Sequence, residues 1–225
     1  MEEKSEGIVV RSADYKERER IITVFTPNAG LISLIVKYIS PRKPNFLSLS
    51  TPFCQGEFIF RRGKSELFRF HDGTVLDEML ILRNHLNHLQ AAGNMTQSIL
   101  LSQMPGKAAP QLYSLFLAYM KHIPYFEDAS ILTASFDLKI LKYEGLLALT
   151  RSCSVCQSLP AQYLWCGECV CASHAPHQAH SLSADELHLL EELLLAKSFE
   201  RLKDLKMEPG LLAKIRSFFK ESLSG

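Results

Sequence analysis

The chain has 225 residues, of which 47% are hydrophobic and 22% are charged, and its formal net charge is +1. This composition is typical of a globular protein and excludes an intrinsically disordered chain or a fibrous repeat. There is no run of 18 or more uncharged apolar residues, and the acidic N-terminus lacks an apolar segment. The sequence therefore predicts neither a membrane span nor a secretory signal, and it indicates a cytoplasmic protein.

The first part of the chain, residues 1–76, has the pattern of β-structure. Short runs rich in Val, Ile, Phe and Thr alternate with turn signals. The predicted strands are Glu6–Arg11, Arg20–Thr26, Leu31–Lys37, Pro52–Arg61 and Glu66–His71. Five short strands favour a closed barrel, because closure leaves no exposed sheet edge. An OB-type barrel that binds nucleic acid is the leading prediction, and a small SH3-like barrel is the alternative.

From Leu76 onward, apolar residues recur at spacings of three and four, as in amphipathic helices. The predicted helices are Leu76–Met104, Gln111–Ile123, Ser130–Leu149, Ser183–Leu205 and Pro209–Leu223. The predicted fold class is α+β and multidomain, with an OB-type barrel, a helical domain and an inserted zinc-binding module. The predicted bounds are 1–76 for the barrel, 77–152 and 181–225 for the two parts of the helical domain, and 153–180 for the module.

Most of the cysteines are clustered. The cluster contains Cys153, Cys156, Cys166, Cys169 and Cys171 within 19 residues. In a reducing compartment such a cluster predicts thiolate ligands for zinc rather than disulfides. Spacing alone pairs Cys153 and Cys156 with Cys166 and Cys169, while His174, His177 and His180 add further candidate ligands. Because no general base is evident nearby, a structural Zn²⁺ is favoured over a catalytic one.

A basic block lies in the predicted barrel. Its six cations are Lys37, Arg42, Lys43, Arg61, Arg62 and Lys64, and the same stretch contains one acidic residue, Glu57. Such a block on a nearly neutral protein predicts a local DNA-binding surface, although a solvated face is the alternative. The phenylalanines that alternate along the strands, Phe58, Phe60, Phe68 and Phe70, are interpreted as packing residues. Tyr38 and Phe46 then remain as exposed aromatics that could stack on bases.

Enzyme signatures are absent from the sequence. It contains no phosphate-binding G-x-x-x-x-G-K-[ST] loop, no G-x-G-x-x-G after a strand and no G-x-S-x-G nucleophile elbow. The zinc-deaminase signature is missing as well. The sequence therefore predicts a protein that is not an enzyme.

Several motifs match a known family in the right order along the chain. Glu6–Arg11, Asp14-Tyr15 and Arg20–Thr26 are followed much later by Phe136–Gly145 and then by Cys153-x-x-Cys156. In this arrangement the chain resembles the bacterial RecO family of recombination mediators. Two positions depart from the family pattern: Lys16 replaces a usual Gly, and Lys37-Tyr38-Ile39 replaces a usual Lys-Gly-Ala. The loop at 37–45 is therefore expected to have a different shape.

The resemblance implies an OB-fold, a helical domain, an inserted zinc module and a non-enzymatic role in RecF-pathway repair. Family members bind single- and double-stranded DNA, anneal complementary strands and work with RecR. They also engage the C-terminal tail of the single-strand DNA-binding protein, so that RecA can load. For that acidic tail, the rim of cations predicted in the helical region is Lys121, Lys139, Lys142 and Arg151.

The resemblance also bears on the zinc ligands. The family layout implies Cys171 and His174 as the second pair, with Cys169 in a strand and Cys166 in a hairpin. Zinc accepts Cys₃His as readily as Cys₄. The favoured ligands are Cys153, Cys156, Cys171 and His174. Cys166 and Cys169 are the alternative second pair.

Two other functions are alternatives to a DNA-binding mediator. One is a zinc-stabilised adaptor that interacts with proteins and does not bind DNA directly. The other is a zinc-dependent hydrolase of nucleic acids. Salt-sensitive DNA binding distinguishes the mediator from the adaptor, and turnover of labelled DNA would indicate the hydrolase.

Overall fold

Residues 2–37, 44–63 and 65–224 are described by the computed structural model of the chain. They form two compact units, 1–124 and 125–225. Within the described ranges, no helix combines the length and the apolar character that crossing a membrane requires.

The first unit contains five strands and a short helix. These elements are β1 (Glu2–Lys16), β2 (Glu19–Thr26), β3 (Gly30–Lys37), α1 (Pro44–Ser48), β4 (Gln55–Arg61) and β5 (Leu67–Asp77). The strands form a closed barrel in the order β1-β2-β3-β5-β4. β3 and β5 are parallel, and β1 closes the barrel by pairing antiparallel with β4. This is the OB-type arrangement, and it confirms the predicted barrel type over the SH3-like alternative.

The barrel core contains alternate strand residues together with Leu49 and Cys54, which lie between α1 and β4. Phe58 and Phe60 on β4 are 0% and 1% exposed, and Leu49 is fully buried beside them. Helix α1 was not predicted, because residues 41–45 have the composition of a turn. Phe46 on this helix is half-buried and packs edge-on against Phe70, with ring centroids 5.0 Å apart. The prediction that Phe46 is an exposed aromatic is therefore wrong.

Strand β5 is longer than the sequence pattern predicts. The dipeptide Asp72-Gly73 is typical of a turn that would end the strand, but the strand continues to Asp77. A Cβ atom at Gly73 would lie 2.5 Å from the carbonyl oxygen of Glu57 on the neighbouring strand. The glycine therefore permits close approach of two strands rather than a turn.

Two helices, α2 (Leu86–Ser102) and α3 (Pro110–His122), complete the first unit. The predicted first helix begins ten residues later than expected, because β5 occupies part of its range and the Asp77 carboxylate accepts a hydrogen bond from the Met79 amide. The loop between α2 and α3 binds the β2–β3 turn, where the Gly106 amide donates to the Ala29 carbonyl at 3.0 Å.

A half-buried carboxylate joins α3 to the barrel. Glu6 on β1 accepts hydrogen bonds from the Gln55 side chain at 2.7 Å and from the Tyr113 hydroxyl at 2.9 Å. Burial and the Glu6 carboxylate raise the pKa of Tyr113 well above its ordinary value, so this phenol stays a donor. Beside it, the rings of Tyr113 and Phe116 pack against Phe25 of β2.

The second unit is organised around one buried helix, α4 (Ser130–Tyr143). Three further helices pack against it: α5 (Ala184–Leu195), α6 (Phe199–Lys203) and α7 (Pro209–Ser224). The predicted helix Ser183–Leu205 is divided into α5 and α6, because Ser198 starts a new helix by accepting a hydrogen bond from the Arg201 amide. Ser183 and Glu186 form a capping box at the start of α5.

A small sheet follows α4 in this unit. Its strands are β6 (Tyr163–Trp165), β7 (Glu168–Val170) and β8 (His180–Ser181), in the order β7-β6-β8. The loop between β6 and β7 has two residues, Cys166 and Gly167, with φ of 45° and 84°. Positive φ at both positions is typical of a type I′ hairpin turn. A Cβ at Gly167 would lie 2.0 Å from the Leu146 carbonyl oxygen, so only glycine fits there.

Candidate metal centre and nucleic-acid interface

Two turns of the second unit bring three thiols and one imidazole together. In the first turn the Gln157 amide donates to the Cys153 carbonyl at 2.9 Å, and in the second, after β7, the His174 amide donates to the Cys171 carbonyl at 3.0 Å. The Sγ atoms of Cys153, Cys156 and Cys171 and a ring nitrogen of His174 all lie within 4.8 Å of one another.

The distances suit a tetrahedral metal ion. Cys156 Sγ lies 3.8 Å from Cys171 Sγ. Nδ1 of His174 lies 3.7 Å from Cys153 Sγ and 3.3 Å from Cys171 Sγ. Zn–S bonds of about 2.3 Å and Zn–N bonds of about 2.0–2.1 Å in a tetrahedron separate the ligand atoms by about 3.5–3.8 Å. The donor set is one that zinc uses, and these three distances are near those of a tetrahedral site.

The electrostatics of the cluster favour thiolates. The Ser158 hydroxyl and the His174 ring lower the pKa of Cys171 to about 6. For Cys153, desolvation acts to raise the pKa, but backbone amides, those of Cys156 and Cys171 first, outweigh it and the pKa is lowered. Contacts with Cys171 and Cys153 raise the pKa of His174. Metal ligation requires deprotonated thiols. The lowered pKa values of Cys171 and Cys153 therefore favour binding of a cation at this cluster.

The alternative second pair lies outside this cluster. Cys169 is buried in β7, where its sulfur accepts a hydrogen bond from the Thr150 amide at 3.4 Å, and burial raises the pKa of its thiol. Cys166 is exposed in the β6–β7 hairpin loop. These are the strand and hairpin positions that the family layout implied. Zinc binding by the favoured set stays a prediction.

Only part of the basic block lies within the described residues. Arg42, Lys43 and Lys64, together with Tyr38, fall outside them. The other three cations each meet an acidic residue that is distant in sequence: Lys37 with Glu19 at 3.1 Å, Arg61 with Glu2 at 2.8 Å, and Arg62 with Glu3 at 2.8 Å. Counting charges along the sequence missed these partners, because strand pairing creates them.

Arg62 has a second contact. Its guanidinium carbon lies 5.2 Å from the centroid of the Phe68 ring. That ring stacks on buried Phe60, with centroids 5.8 Å apart and planes only 4° from parallel. Phe68 is half-buried, so it is a packing residue as predicted, but it also supports the arginine. The β4–β5 connection thus presents a cation on an aromatic platform.

The β1–β2 hairpin was not predicted as part of a binding surface. Tyr15 is 51% exposed, and the ammonium of Lys16 lies 5.3 Å from the centroid of its ring. In OB-folds the β1–β2 and β4–β5 loops and the β2–β3 face bind oligonucleotides. Tyr15-Lys16, an aromatic residue next to a cation at the end of β1, was the sequence pattern that could have indicated this surface.

The cations predicted to bind a partner tail have different surroundings. Lys121 lies on α3 in the first unit, while Lys142 is exposed on α4 in the second. Lys139 is half-buried and donates to the carbonyls of Leu194 and Ala196, at 3.1 and 2.8 Å. Arg151 pairs with Glu191 at 3.2 Å. Lys139 therefore satisfies the carboxyl end of α5.

The chain thus combines a closed OB-type barrel with a helical region that contains a Cys₃His cluster. Residues 1–79 match the family model described as Recombination protein O N terminal, and residues 83–224 match Recombination protein O C terminal. The chain belongs to the RecO family, as the sequence motifs had indicated.

The chain is also similar in sequence to individual proteins of this family along most of its length. The chain is 32% identical over 219 residues to the DNA repair protein RecO of Chlamydia pneumoniae, covering 96% of this chain and 86% of the relative. It is 30% identical over 223 residues to the protein of the same name from Chlamydia trachomatis serovar D, covering 97% and 91%. Membership of the family implies a role in DNA repair and recombination.

Proposed function

We propose that the chain is a non-enzymatic recombination mediator of RecF-pathway repair. It binds single- and double-stranded DNA through the barrel, promotes annealing and helps RecA to load onto strands coated by single-strand DNA-binding protein. Its protein partners are RecR and the C-terminal tail of the single-strand DNA-binding protein, and it acts in the cytoplasm. Residues 1–76 are the DNA-binding domain, and residues 153–180 form the metal module within a helical domain of 77–152 and 181–225.

The observation that carries the proposal is the β4–β5 connection of an OB-type barrel. There Arg62 lies over Phe68 and Arg61 lies beside it in sequence. Guanidinium groups bind phosphates in a planar, bidentate manner, and aromatic platforms accept bases of any sequence. The proposed DNA-binding residues remain Lys37, Arg42, Lys43, Arg61, Arg62 and Lys64.

The acidic partners do not prevent this role. In the Arg61–Glu2 pair the side chains are 60% and 43% exposed. Exposed pairs of this kind contribute about 0–1 kcal/mol, so DNA phosphates can displace the carboxylates. Lys37 and Glu19 are less exposed, at 29% and 19%. We therefore assign Lys37 a smaller share of the binding than Arg61 and Arg62.

The ion pairs also favour a second candidate, the adaptor that binds only proteins. If Glu2, Glu3 and Glu19 neutralise their partners permanently, the described part of the basic block offers little net positive charge. Under that function the barrel would recognise a protein surface instead of DNA. DNA binding across a salt series separates the two functions.

The test measures anisotropy of fluorescent single-stranded oligonucleotides over a salt series. Replacing both arginines, Arg61→Gln with Arg62→Gln, removes about two phosphate contacts and should flatten the slope of log affinity against log salt by about 1.4. The matched control is Arg201→Gln with Lys203→Gln, which removes two exposed, ion-paired cations from the second unit. Absence of salt-sensitive binding by the unaltered chain would favour the adaptor.

For the metal, we propose that Cys153, Cys156, Cys171 and His174 hold a structural Zn²⁺. When bound, the ion cross-links the two turns and neutralises the thiolates. The chain supplies the rest of the site: Ser158 and the backbone amides around the cluster orient and stabilise the charged sulfurs. Closed coordination by four protein ligands leaves no position for a reacting water, which supports a structural role.

A further inference from the structure

The second unit contains a cavity that neither the metal cluster nor the proposed function uses. It lies between the β6–β8 sheet and α7 and has a volume of about 550 Å³. Cavities of about 300–1,000 Å³ are the usual size of small-ligand sites in proteins. Apolar side chains provide most of its lining, Leu146, Leu164, Trp165 and Phe218 among them.

One carboxylate is fixed at the cavity. Oε2 of Glu221 lies 2.8 Å from Nε2 of His180, and its Oε1 accepts a hydrogen bond from the Ser217 hydroxyl at 2.7 Å. These two contacts hold the carboxylate in place while the Glu221 side chain remains 52% exposed. His180 in turn packs edge-on against Phe218, with ring centroids 6.1 Å apart. The group is therefore oriented and still accessible to a ligand.

The polar lining selects for positive charge. Among the described residues no Lys or Arg lines the cavity, whereas Glu221 does. The hydroxyl of Ser222 also lines it, and its oxygen is buried without a hydrogen-bond partner among the described residues. Aromatic faces attract cations as well. Gln178 and His180 complete the polar lining, so Glu221 supplies the only carboxylate among the described residues of the cavity.

From this lining we infer that the cavity is a binding site for an organic cation with an apolar or aromatic body. The body occupies the space beside Trp165 and Phe218. Its ammonium or guanidinium group donates to the Glu221 carboxylate. A free aromatic amine and the side chains of a partner peptide have this same chemistry.

The chain provides its own reporter, because Trp165 is its single tryptophan. Emission from Trp165 is measured while the full-length protein is titrated with phenethylamine, with hydrocinnamate as the anionic analogue and phenethyl alcohol as the neutral one. We expect a saturable change with phenethylamine and binding about fivefold tighter than for phenethyl alcohol, as an accessible ion pair provides. Hydrocinnamate should bind more weakly than either.

Two variants make the assignment specific. Glu221→Gln should abolish the preference for the cation and leave binding of phenethyl alcohol nearly unchanged. Glu200→Gln removes the same charge from an exposed position on α6 and should leave the preference intact. The unchanged neutral binding shows that the cavity still forms in the Glu221 variant.

The source of the cation is distinguished by a blocked Phe-Arg dipeptide amide, which carries only a side-chain charge. Tighter binding of the dipeptide than of phenethylamine identifies a peptide ligand, and the reverse identifies a free amine. The inference fails if phenethylamine produces no saturable change, if cation and anion bind equally, or if Glu221→Gln keeps the preference.

Discussion

The barrel and the β6–β8 sheet maintain their structures by different means. The barrel has strands of 7 to 15 residues, closes on itself and encloses a continuous apolar core. The small sheet has strands of two or three residues. Sheets this short are marginal in water without further support. We therefore expect apolar burial to stabilise the first region, and the proposed metal ion, which would cross-link two turns, to stabilise the second.

The largest effect expected from this contrast is loss of the metal module. Cys171→Ser with His174→Ala removes two of the four clustered donors and should release the bound zinc, because the binding energy of a structural metal is folding energy of its module. Zinc content and near-UV circular dichroism measure the outcome, and the barrel signals should persist.

The control for that experiment is Cys166→Ser with Cys169→Ser, which also removes two thiols but leaves the cluster intact. We expect it to retain full zinc content. If instead this pair loses zinc and the first pair retains it, the ligand set is Cys153, Cys156, Cys166 and Cys169.

The second effect concerns the barrel core. Phe58 is fully buried against Phe70, with ring centroids 6.3 Å apart. Phe58→Ala should lower the free energy of unfolding of the barrel by about 3–5 kcal/mol, because it leaves a large cavity. Chemical denaturation measures this change, and zinc content should be unaffected. Zinc release by this variant would contradict independent support of the two regions.

A third, smaller effect concerns the hairpin that supports the metal module. Gly167→Ala places a Cβ against the Leu146 carbonyl at positive φ, and we expect a loss of about 2–3 kcal/mol. The control is Gly93→Ala in α2, where nothing lies within 4 Å of the added carbon. Alanine there should stabilise by about 1 kcal/mol, since it favours helix over glycine. Thermal unfolding of both variants tests the opposite signs.

The smallest effect is a gain. Cys166 occupies the first positive-φ position of the type I′ turn, where Asn is strongly preferred. Cys166→Asn should raise the unfolding free energy of the module by about 0.5–1 kcal/mol, because Asn tolerates positive φ better than Cys and relieves part of the roughly 1–2 kcal/mol of strain in this region. Measurement of zinc content in the same sample also tests whether Cys166 is a ligand, since a ligand could not be replaced without loss.

The sequence predicted the barrel better than its details. Alternating apolar residues mark each strand, so the five strands and their closure followed from local patterns. Helix α1 was missed because Pro44 and Asn45 are typical of turns, whereas burial of Leu49 and Phe46 stabilises the helix. The end of β5 was missed for a similar reason: Gly73 serves a close approach between strands that only the fold reveals.

The candidate sites show the same limit. Spacing predicted Cys153 and Cys156, which the structure places in the cluster, but it could not choose the second candidate pair, because that choice depends on where β7 directs its residues. Family resemblance supplied the choice. The acidic partners of Arg61 and Arg62 lie 59 residues away, and no local count of charges could find them. Candidate ligands that lie close together in sequence could be predicted, whereas ion pairs that form only when strands pair could not.

The Glu6 carboxylate, which joins β1 to β4 and α3, has a consequence for how the chain is made. Its partners lie 49 and 107 residues further along, so the ribosome releases Glu6 long before Gln55 and Tyr113. During that interval β1 has an unpaired edge on the side that β4 will cover, and a newly made edge of this kind can pair with other chains. Five of the first six residues are charged or polar, so we expect this edge to stay solvated until β4 covers it.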